Sequence, residues 1–297
     1  MGRPFANMEI KEIQSKSILT PSKLPAADYV VNPYLGCRFA CSYCYASFMG
    51  RFADKSVADW GEYVYPKMNA AELLRKEILS LKNKGKGKVV LFSSVTDPYQ
   101  GLEVKYQLTR KCLEVLIENH FEGEVSFLTK SDLILRDLDL IKKLKHTEVG
   151  LTITTTDDSI SRYFEKYAPP ASKRLETLKK LNEEGVKTYA FIGPLLPHFV
   201  SKEIVLDKLF KAIAETGNKE IFVEHINLSP YIFKRLKEDA KELGEKIITE
   251  FYTSKSENYR EQLNQIIHKL IKRYGLKLKL QKVIYHGERK NTQIMSE

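Results

Sequence analysis

The sequence predicts an α/β fold, because short apolar runs that suit buried strands alternate with longer segments of helical periodicity. From residue 28 to about residue 245 this alternation gives six β/α units, with no composition break that would mark a domain boundary. Alternation of this kind implies a parallel sheet with right-handed crossovers. Six units are too few for a closed eight-stranded barrel. We therefore expect an open partial barrel or a doubly wound sheet.

Each predicted strand is a short apolar run, and each predicted helix has apolar residues three and four positions apart. The run at 89–92 is apolar at every position, as expected of a strand buried on both faces. The predicted strands are 29–32, 89–92, 125–128, 150–154, 188–192 and 221–224. The predicted helices are 70–82, 108–118, 138–144, 172–184, 202–215 and 232–243. In either architecture the chemistry should lie on loops that follow the carboxyl ends of the strands.

The two ends of the chain differ from this central part. Residues 1–27 form an N-terminal segment, residues 28–250 the core, and residues 251–297 a basic C-terminal extension. The extension predicts an amphipathic helix over 259–274 and a strand over 276–284, where apolar and basic residues alternate. Its later part carries eight basic residues against one acidic residue, Glu288. The eight are Lys269, Lys272, Arg273, Lys277, Lys279, Lys282, Arg289 and Lys290.

Composition limits the class of protein and its partners. We find no run of about 18 apolar residues that could span a bilayer, and polar residues follow the first few positions, so no signal peptide is expected. These features predict a cytoplasmic protein without membrane contact. The formal net charge of +10 permits an acidic partner such as DNA or RNA. However, 48 basic residues beside 38 acidic ones equally describe a Lys/Glu-rich surface that favours stability at high temperature.

Three of the four cysteines, Cys37, Cys41 and Cys44, fall within eight residues with the spacing C-x3-C-x2-C. Thiolates hold iron–sulfur clusters, ordinarily four for a cubane, so three leave one iron without a protein ligand. A metal needs such an open site to bind and activate a small molecule. The alternative is a structural zinc site that adds Cys112 or a histidine. Cys112, inside an apolar stretch of a predicted helix, is better explained as a small buried hydrophobe.

The cysteine spacing and the sequence around it resemble a known family. C-x3-C-x2-C after the first strand of a β/α array resembles the radical S-adenosylmethionine (SAM) superfamily, and the flanking segments resemble its spore photoproduct lyase-like branch. The resemblance covers about residues 28–245. Its segments are NPYLGC at 32–37, CSYCYA at 41–46, TDPYQ at 96–100, LTKSD at 128–132, LRD at 135–137, and APP at 168–170 leading to Arg174.

This resemblance implies a partial (β/α)6 TIM-like barrel and two cofactors, a [4Fe–4S] cluster held by Cys37, Cys41 and Cys44, and SAM. In the superfamily, the unligated iron chelates the methionine end of SAM. Reduction then yields a 5′-deoxyadenosyl radical, which abstracts a hydrogen atom from substrate. The electron implies an external reductant of the ferredoxin or flavodoxin type. The protein's own task is to hold the target close and to exclude competing reactions.

Individual residues match positions at which the family contacts SAM. Ser94 and Thr96 match positions beside the methionine amino group, Lys130 and Thr152 positions near its carboxylate and the ribose, and Ile192 a position beside adenine. An ammonium suits a carboxylate, and hydroxyls can bond both ammonium and ribose groups. Taken singly, each residue has an ordinary alternative, such as a helix-capping hydroxyl, a solvated lysine or a buried strand residue. Their common place at successive strand ends favours the cofactor.

The sequence departs from spore photoproduct lyase at the position of one functional residue. The lyase has a cysteine after its second strand that returns a hydrogen atom to the product radical, and Ser94 stands at that place. A serine O–H bond is too strong for this role, so the lyase's own mechanism is not expected. Tyr43 and Tyr45, which flank Cys44, match tyrosines that the lyase is thought to use in radical relay. Their alternative role is packing around the cluster.

These observations predict a radical SAM enzyme that acts on a nucleic acid base or a related molecule. Two alternatives stay open, a radical SAM enzyme that acts on a small metabolite and a zinc-stabilised nucleic-acid-binding module without catalysis. The basic extension could follow a phosphate backbone, with Tyr274 and Tyr285 available for stacking. It could also be a solvated amphipathic strand. His225, at the end of the sixth strand, either faces the substrate or is a hydrogen-bonded core residue.

Overall fold

The computed structural model describes residues 8–239 and 241–286, and its centre is an eight-stranded sheet. The strands in chain order are β1 (Glu9–Ile10), β2 (Leu19–Pro21), β3 (Tyr29–Val31), β4 (Tyr34–Leu35), β5 (Tyr63–Pro66), β6 (Val89–Phe92), β7 (Glu124–Thr129), β8 (His146–Thr152), β9 (Thr188–Leu195), β10 (Glu220–His225) and β11 (Lys277–Leu278).

The large sheet has the strand order β11-β10-β9-β8-β7-β6-β3-β2. All neighbours are parallel except β2, which pairs antiparallel with β3. Six consecutive parallel strands, β3 and β6 to β10, are the six predicted β/α units, so the α/β prediction is confirmed. Strands β1, β5 and β4 form a separate three-stranded sheet. Because parallel strands end at one edge, the loops after β3 and β6 to β10 share one face of the molecule.

Ten α-helices connect and cover the strands. They are α1 (Ala70–Ile78), α2 (Glu103–Tyr106), α3 (Leu108–Glu118), α4 (Leu138–Ile141), α5 (Asp158–Phe164), α6 (Ala171–Glu183), α7 (Glu203–Glu215), α8 (Pro230–Asp239), α9 (Glu245–Thr253) and α10 (Glu257–Tyr274) within the described ranges. Short 3-10 helices at Tyr45–Phe52 and Val57–Asp59 follow the cysteine loop. None of the helices in residues 8–239 and 241–286 is long and apolar enough to cross a bilayer.

The middle of the sheet is packed on both faces. Within β8, Gly150 pairs with Tyr189 of β9, and a β-carbon at Gly150 would lie 2.1 Å from the Tyr189 ring. The Tyr189 side chain extends from β9 across β8, and its hydroxyl donates to the Phe127 carbonyl of β7 at 3.0 Å. A side chain at Gly150 would displace this ring, so close approach explains the glycine in an otherwise apolar strand.

The sequence misplaced some boundaries. The helix predicted over 138–144 ends at Ile141, and the helix predicted over 232–243 corresponds to α8 (Pro230–Asp239) and a 3-10 helix at Lys241–Leu243. The strand predicted over 276–284 is limited to β11 and an isolated bridge at Ile284, because the chain turns at Gln281, whose φ is +57°. Short elements such as β1, β2, β4 and β5 were missed, since they are too short for a periodicity to show.

The C-terminal extension packs onto the core. α10 buries Leu263, Ile267 and Leu270 and lies against α7. Beyond β11, the Ile284 N–H donates to the Val223 carbonyl at 2.8 Å, and the His225 N–H donates to the Ile284 carbonyl at 2.9 Å. The extension thus lengthens the sheet past β10. The boundaries proposed for the three segments, 1–27, 28–250 and 251–297, remain a prediction.

Contact of the extension with nucleic acid remains a prediction, and several of its basic residues and tyrosines have partners within the part of the chain that the structure describes. Lys269 pairs with Glu203 at 2.7 Å, Arg273 with Asp207, and Lys279 with Glu148 at 2.6 Å. The Tyr274 hydroxyl donates to Asp207 at 3.0 Å, and the Tyr285 hydroxyl to Asn264 at 2.9 Å. Lys279 is largely covered by these contacts, whereas the pairs of Lys269 and Arg273 lie at the surface. Arg289 and Lys290 lie outside the described residues.

Candidate active site

The three clustered cysteines lie on the loop after β4, on the face where the parallel strands end. Cys37 and Cys41 are buried, Cys44 is half-buried, and all three are free thiols. The loop begins at Gly36, whose φ is +87° and where a β-carbon would lie 2.4 Å from the Tyr63 carbonyl oxygen. Only glycine fits this turn without strain. The sequence placed the cysteines on such a loop, and the structure agrees.

The loop is held by the TDPYQ segment that follows β6. The Thr96 hydroxyl donates to the Gly36 carbonyl at 2.6 Å, and the Gln100 side-chain amide donates to the Thr96 oxygen at 3.0 Å. Gln100 also accepts from the Arg38 backbone N–H at 2.8 Å. Thr96 is thus a positioning residue for the cysteine loop, and its predicted contact with SAM remains a prediction. The TDPYQ segment stands out in the sequence, but the role of Gln100 depends on contacts with a distant loop and gave no local signal.

A buried ion pair lies directly beneath the loop. Glu165 forms an isolated backbone bridge with Cys41, and its carboxylate accepts from the Tyr43 hydroxyl and from the Arg174 guanidinium. The side chains of Glu165 and Arg174 are both 0% exposed. Arg174 also donates to the Thr152 carbonyl at 3.2 Å. Burial raises the pKa of Glu165, but the charges of Arg174 and Lys130 and the hydrogen bonds from Arg174 and Tyr43 together outweigh it, so the net pKa lies below the ordinary value.

Lys130 reaches the same network from the end of β7. Its ammonium lies 3.9 Å from the Glu165 carboxylate and 5.8 Å from the centre of the Tyr43 ring. Burial lowers the pKa of Lys130, but the neighbouring Cys41 and Glu165 raise it by more. The net pKa of Lys130 therefore lies above its ordinary value. Lys130 therefore stays protonated near the cysteine loop. A fixed ammonium there suits the carboxylate of a ligand.

Asp97 connects the loops after β6 and β7. Its carboxylate accepts from the Thr129 hydroxyl at 2.6 Å, the Lys130 backbone N–H at 2.9 Å and the Tyr99 backbone N–H at 2.9 Å. Burial raises the pKa of Asp97, although these three donors oppose the rise. Asp97 thereby fixes the base of Lys130 relative to the Thr96 segment. Asp97 belongs to the TDPYQ segment that carries the family resemblance, but the sequence alone predicted no role for it.

The two predicted relay tyrosines point to different places. The Tyr43 hydroxyl ends in the buried Glu165 network, whereas the Tyr45 hydroxyl donates to the Ser94 carbonyl and the Tyr45 side chain is 43% exposed. Ser94 itself is held by Asn32, whose side-chain oxygen accepts from the Ser94 N–H at 3.0 Å. Ser94 and Tyr45 are thus neighbours at the open face. Tyr43 lies inside.

Thr152 and Ile192 lie deeper than their predicted roles suggest. Thr152 is the last residue of β8 and is 4% exposed. Ile192 is 0% exposed and lies inside β9, which continues to Leu195 rather than ending at Ile192 as predicted. In this structure the Ile192 side chain belongs to the apolar core. Contacts of either residue with a cofactor remain a prediction.

His225, at the end of β10, is a buried aromatic neighbour of the extension. It is 1% exposed, and its ring centre lies 5.8 Å from that of Tyr259 and 5.5 Å from that of Tyr285. Its Nδ1 lies 3.2 Å from the Ile226 carbonyl oxygen. This environment is that of a core histidine, the second of the two roles expected from the sequence.

The buried state of His225 makes stability depend on pH. Burial lowers the pKa of His225 to about 4 from a model-peptide value near 6.5. The unfolded chain therefore binds a proton that the folded chain does not, and stability falls as pH drops from about 6.5 to 4. We expect a loss on the order of 2–3 kcal/mol in the free energy of unfolding over that window. Urea unfolding of His225→Gln should show a shallower acid loss than wild type, and equal losses would contradict this assignment.

The donor set fits a cubane cluster bound through three protein thiolates. The three thiols are electrostatic neighbours, and burial raises the pKa of each, to about 12 for Cys41, so bound iron must displace their protons. Cys112 is 0% exposed in the core, and its charged neighbours are Glu103 and Lys111 rather than the other cysteines. Within residues 8–239 and 241–286, no three His, Cys, Asp or Glu side chains converge closely enough to hold a single metal ion, whereas a cubane needs only one thiolate for each iron.

Comparison with known families agrees with this site. The family described as the radical SAM superfamily matches residues 31–209, from β3 into α7, and so spans the cysteine loop and the strand ends around it. The chain belongs to the radical SAM superfamily. A relative from Methanocaldococcus jannaschii, the uncharacterized protein MJ0683, is 39% identical over 201 residues, which are 68% of this chain and 73% of the relative.

Two further radical SAM relatives carry functional names. The spore photoproduct lyase of Clostridium acetobutylicum is 25% identical, over 68% of this chain and 57% of the lyase. The radical SAM Nalpha-GlyT isomerase of Pseudomonas phage M6 is 23% identical, over 83% of this chain and 52% of the isomerase. These relatives confirm the predicted likeness to the spore photoproduct lyase-like branch.

The fold agrees with solved radical SAM structures. Spore photoproduct lyase complexed with dinucleoside spore photoproduct superposes with a TM-score of 0.66 over 91% of this chain and 81% of the lyase, at 16% identity. A lyase variant with bound AdoMet gives 0.66 over 92% and 81%, at 15% identity. The predicted partial barrel is therefore confirmed. So are the cofactors of this radical SAM enzyme, a [4Fe–4S] cluster and SAM.

Proposed function

We propose that this radical SAM enzyme abstracts a hydrogen atom from a nucleic acid base or a closely related molecule. The likeness to a lyase whose structure holds a dinucleoside photoproduct supports a nucleobase substrate. Ser94 stands where that lyase has its hydrogen-donor cysteine, so the reaction differs in how the product radical is quenched. A ferredoxin or flavodoxin type of reductant and a cytoplasmic location belong to the same proposal.

An exposed aromatic and cationic surface next to the cysteine loop supports a nucleic acid substrate. The 3-10 helix Tyr45–Phe52, which starts directly after Cys44, presents aromatic and cationic groups to solvent. Phe52 is 61% exposed, and the Arg51 guanidinium lies 4.8 Å from the Phe52 ring centre and 5.2 Å from that of Phe48. Exposed rings interleaved with arginine are the platform on which unpaired bases stack.

We also propose roles for the site residues, following the positions at which the family contacts SAM. Bound cluster and SAM supply the radical chemistry. Lys130 holds the SAM carboxylate, and the hydroxyls of Ser94, Thr96 and Thr152 bind its ammonium and ribose groups, with Ile192 in the strand beside adenine.

Of the two tyrosines, Tyr45 is better placed for radical relay, because it lies at the open face beside Ser94. The hydroxyl of Tyr43 is held by buried Glu165, a position that suits packing of the cluster loop.

A small metabolite is the second candidate substrate. The pairing of Lys269, Arg273 and Lys279 with acidic residues favours it, because each cation would have to give up a carboxylate partner to bind a phosphate backbone. Their pairing weakens the support that the net positive charge gives to a nucleic acid substrate. The support from the exposed Arg51 and Phe52 surface is not affected.

Isotope transfer tests the proposal. Anaerobic enzyme with SAM, reductant and single-stranded oligonucleotides carrying deuterated bases should release deuterated 5′-deoxyadenosine. Phe52→Ala should weaken oligonucleotide binding by about 1–3 kcal/mol, the range for loss of one stacked base. Leu79→Ala, which removes an equally exposed apolar side chain next to α1, is the control and should bind as wild type. Unlabelled 5′-deoxyadenosine from every oligonucleotide would favour the metabolite.

A further inference from the structure

Helix α8 places a buried cation next to the cysteine loop. The Tyr231 hydroxyl on this helix donates to the Tyr45 carbonyl at 3.0 Å, one residue after Cys44. Arg235 follows four residues later and therefore lies on the same helix face. It is only 7% exposed. Helix α8 also contacts the 3-10 helix Val57–Asp59, which directly precedes Trp60.

Arg235 and Tyr63 share an unusual feature among the residues that the structure describes. The Nη1 atom of Arg235 and the hydroxyl of Tyr63 are buried, and neither has a hydrogen-bond partner there. A buried N–H or O–H donor without a partner costs about 1–3 kcal/mol, and more when the donor carries charge, so each of these atoms needs an acceptor. The Tyr63 ring lies against Gly36, at the start of the cysteine loop.

Both donors belong to segments that border the cysteine loop. Tyr63 packs against Gly36 at the start of the loop, and Arg235 lies one helical turn from Tyr231, which bonds the Tyr45 carbonyl at its end. The rings of Trp60 and Tyr63 pack edge to face with centres 6.2 Å apart. Burial raises the pKa of the Cys44 thiol, and the charge of Arg235 is among the influences that oppose that rise. One indole, one phenol and one guanidinium thus come from segments that flank the same loop.

We propose that Trp60, Tyr63 and Arg235 form a donor pocket against the Cys44 side of the iron–sulfur cluster and raise its reduction potential. Cluster sulfurs are the acceptors that the two unpartnered donors lack. When the external reductant delivers one electron, the cluster gains one negative charge, and a fixed cation with nearby hydrogen-bond donors stabilises that form. The pocket makes reduction by a ferredoxin or flavodoxin type of donor easier.

The inference rests on the cluster and not on the proposed nucleic acid substrate. Its test needs no substrate, so it can fail while the substrate proposal stands, and the reverse also holds. The measured quantity is the midpoint potential of the cluster, followed by electron paramagnetic resonance during an anaerobic redox titration of the full-length enzyme.

Arg235→Gln should lower the midpoint potential, since it removes the charge that favours the reduced form. We expect the equilibrium with a given reductant to shift about tenfold toward the oxidised cluster, which is about 59 mV for one electron. Arg235→Lys keeps the charge and should stay near wild type. Arg75→Gln makes the same charge change at an exposed ion pair with Glu118 and is the matched control. Equal potentials for the Gln variants at 235 and 75 would overturn the proposal.

The midpoint potential of the Tyr63→Phe variant is a second, independent test of the donor pocket. It keeps the ring that packs against Gly36 and removes only the hydroxyl, so the loop should fold normally. A lower potential in this variant supports the pocket even if Arg235→Gln cannot hold a cluster. A wild-type potential in Tyr63→Phe, together with failure of Arg235→Gln to assemble the cluster, would reduce Arg235 to a structural role and refute the assignment.

Discussion

Cys41→Ala should abolish the release of 5′-deoxyadenosine from SAM. The substitution removes one of three cluster thiolates and leaves too few ligands to hold a cubane. We expect activity to fall by more than about a hundredfold, since loss of even an outer partner of a metal ligand costs about 10–100-fold. Iron and sulfide content and product release from anaerobically reconstituted protein measure the effect.

Cys112→Ala is the matched control for this loss. Cys112 is a free thiol like Cys41, but it lies in α3 with a wholly buried side chain away from the loop. Its variant should keep four irons per chain and product release near wild type, with only a modest loss of stability from the small cavity. Product release that survives Cys41→Ala would remove the basis for the site.

Arg174→Met should destabilise the protein severely. It leaves the Glu165 carboxylate buried without its cation and removes the donor to the Thr152 carbonyl. Breaking a buried pair in this way costs about 3–5 kcal/mol in the free energy of unfolding. Because Glu165 bridges Cys41 through the backbone, we also expect lower cluster occupancy. Chemical denaturation and iron content together measure both effects.

Two comparisons isolate the buried charge. Lys142→Met breaks an exposed pair with Glu184 and should cost less than about 1 kcal/mol. The double variant Glu165→Gln with Arg174→Met removes both charges of the pair and leaves only that of Lys130, so it should recover part of the stability lost in Arg174→Met. If Arg174→Met cost no more than Lys142→Met, the ion pair would not be what supports the cysteine loop.

The sequence predicted the parts of this fold that local patterns determine. The six core strands stand out as apolar runs, and α3 begins and ends where its periodicity does, because each signal lies within one element. The cysteine loop was equally accessible, since its three ligands lie within one short segment. The small sheet of β1, β5 and β4 was not, because strands of two to four residues carry no clear period.

The supporting residues of the site depend on contacts that no local pattern reveals. Glu165 gave no signal of its own, because its role comes from Cys41 and Arg174, which other parts of the chain supply. Arg235 was missed for the same reason. Conversely, the basic residues of the extension looked available in the sequence, and only the packed structure shows Glu203, Asp207 and Glu148 opposite them.

The short strand β11 forms one border of the large sheet, and lysines lie in it and after it. A long unpaired strand at the border of a sheet can recruit a second chain, and proteins avert this with brief border strands and lysine side chains. Here the border strand has only two residues, Lys277 lies in it, and Lys279 and Lys282 follow it. The basic alternation that first suggested nucleic acid is thus also a pattern that disfavours pairing with a second chain at this border.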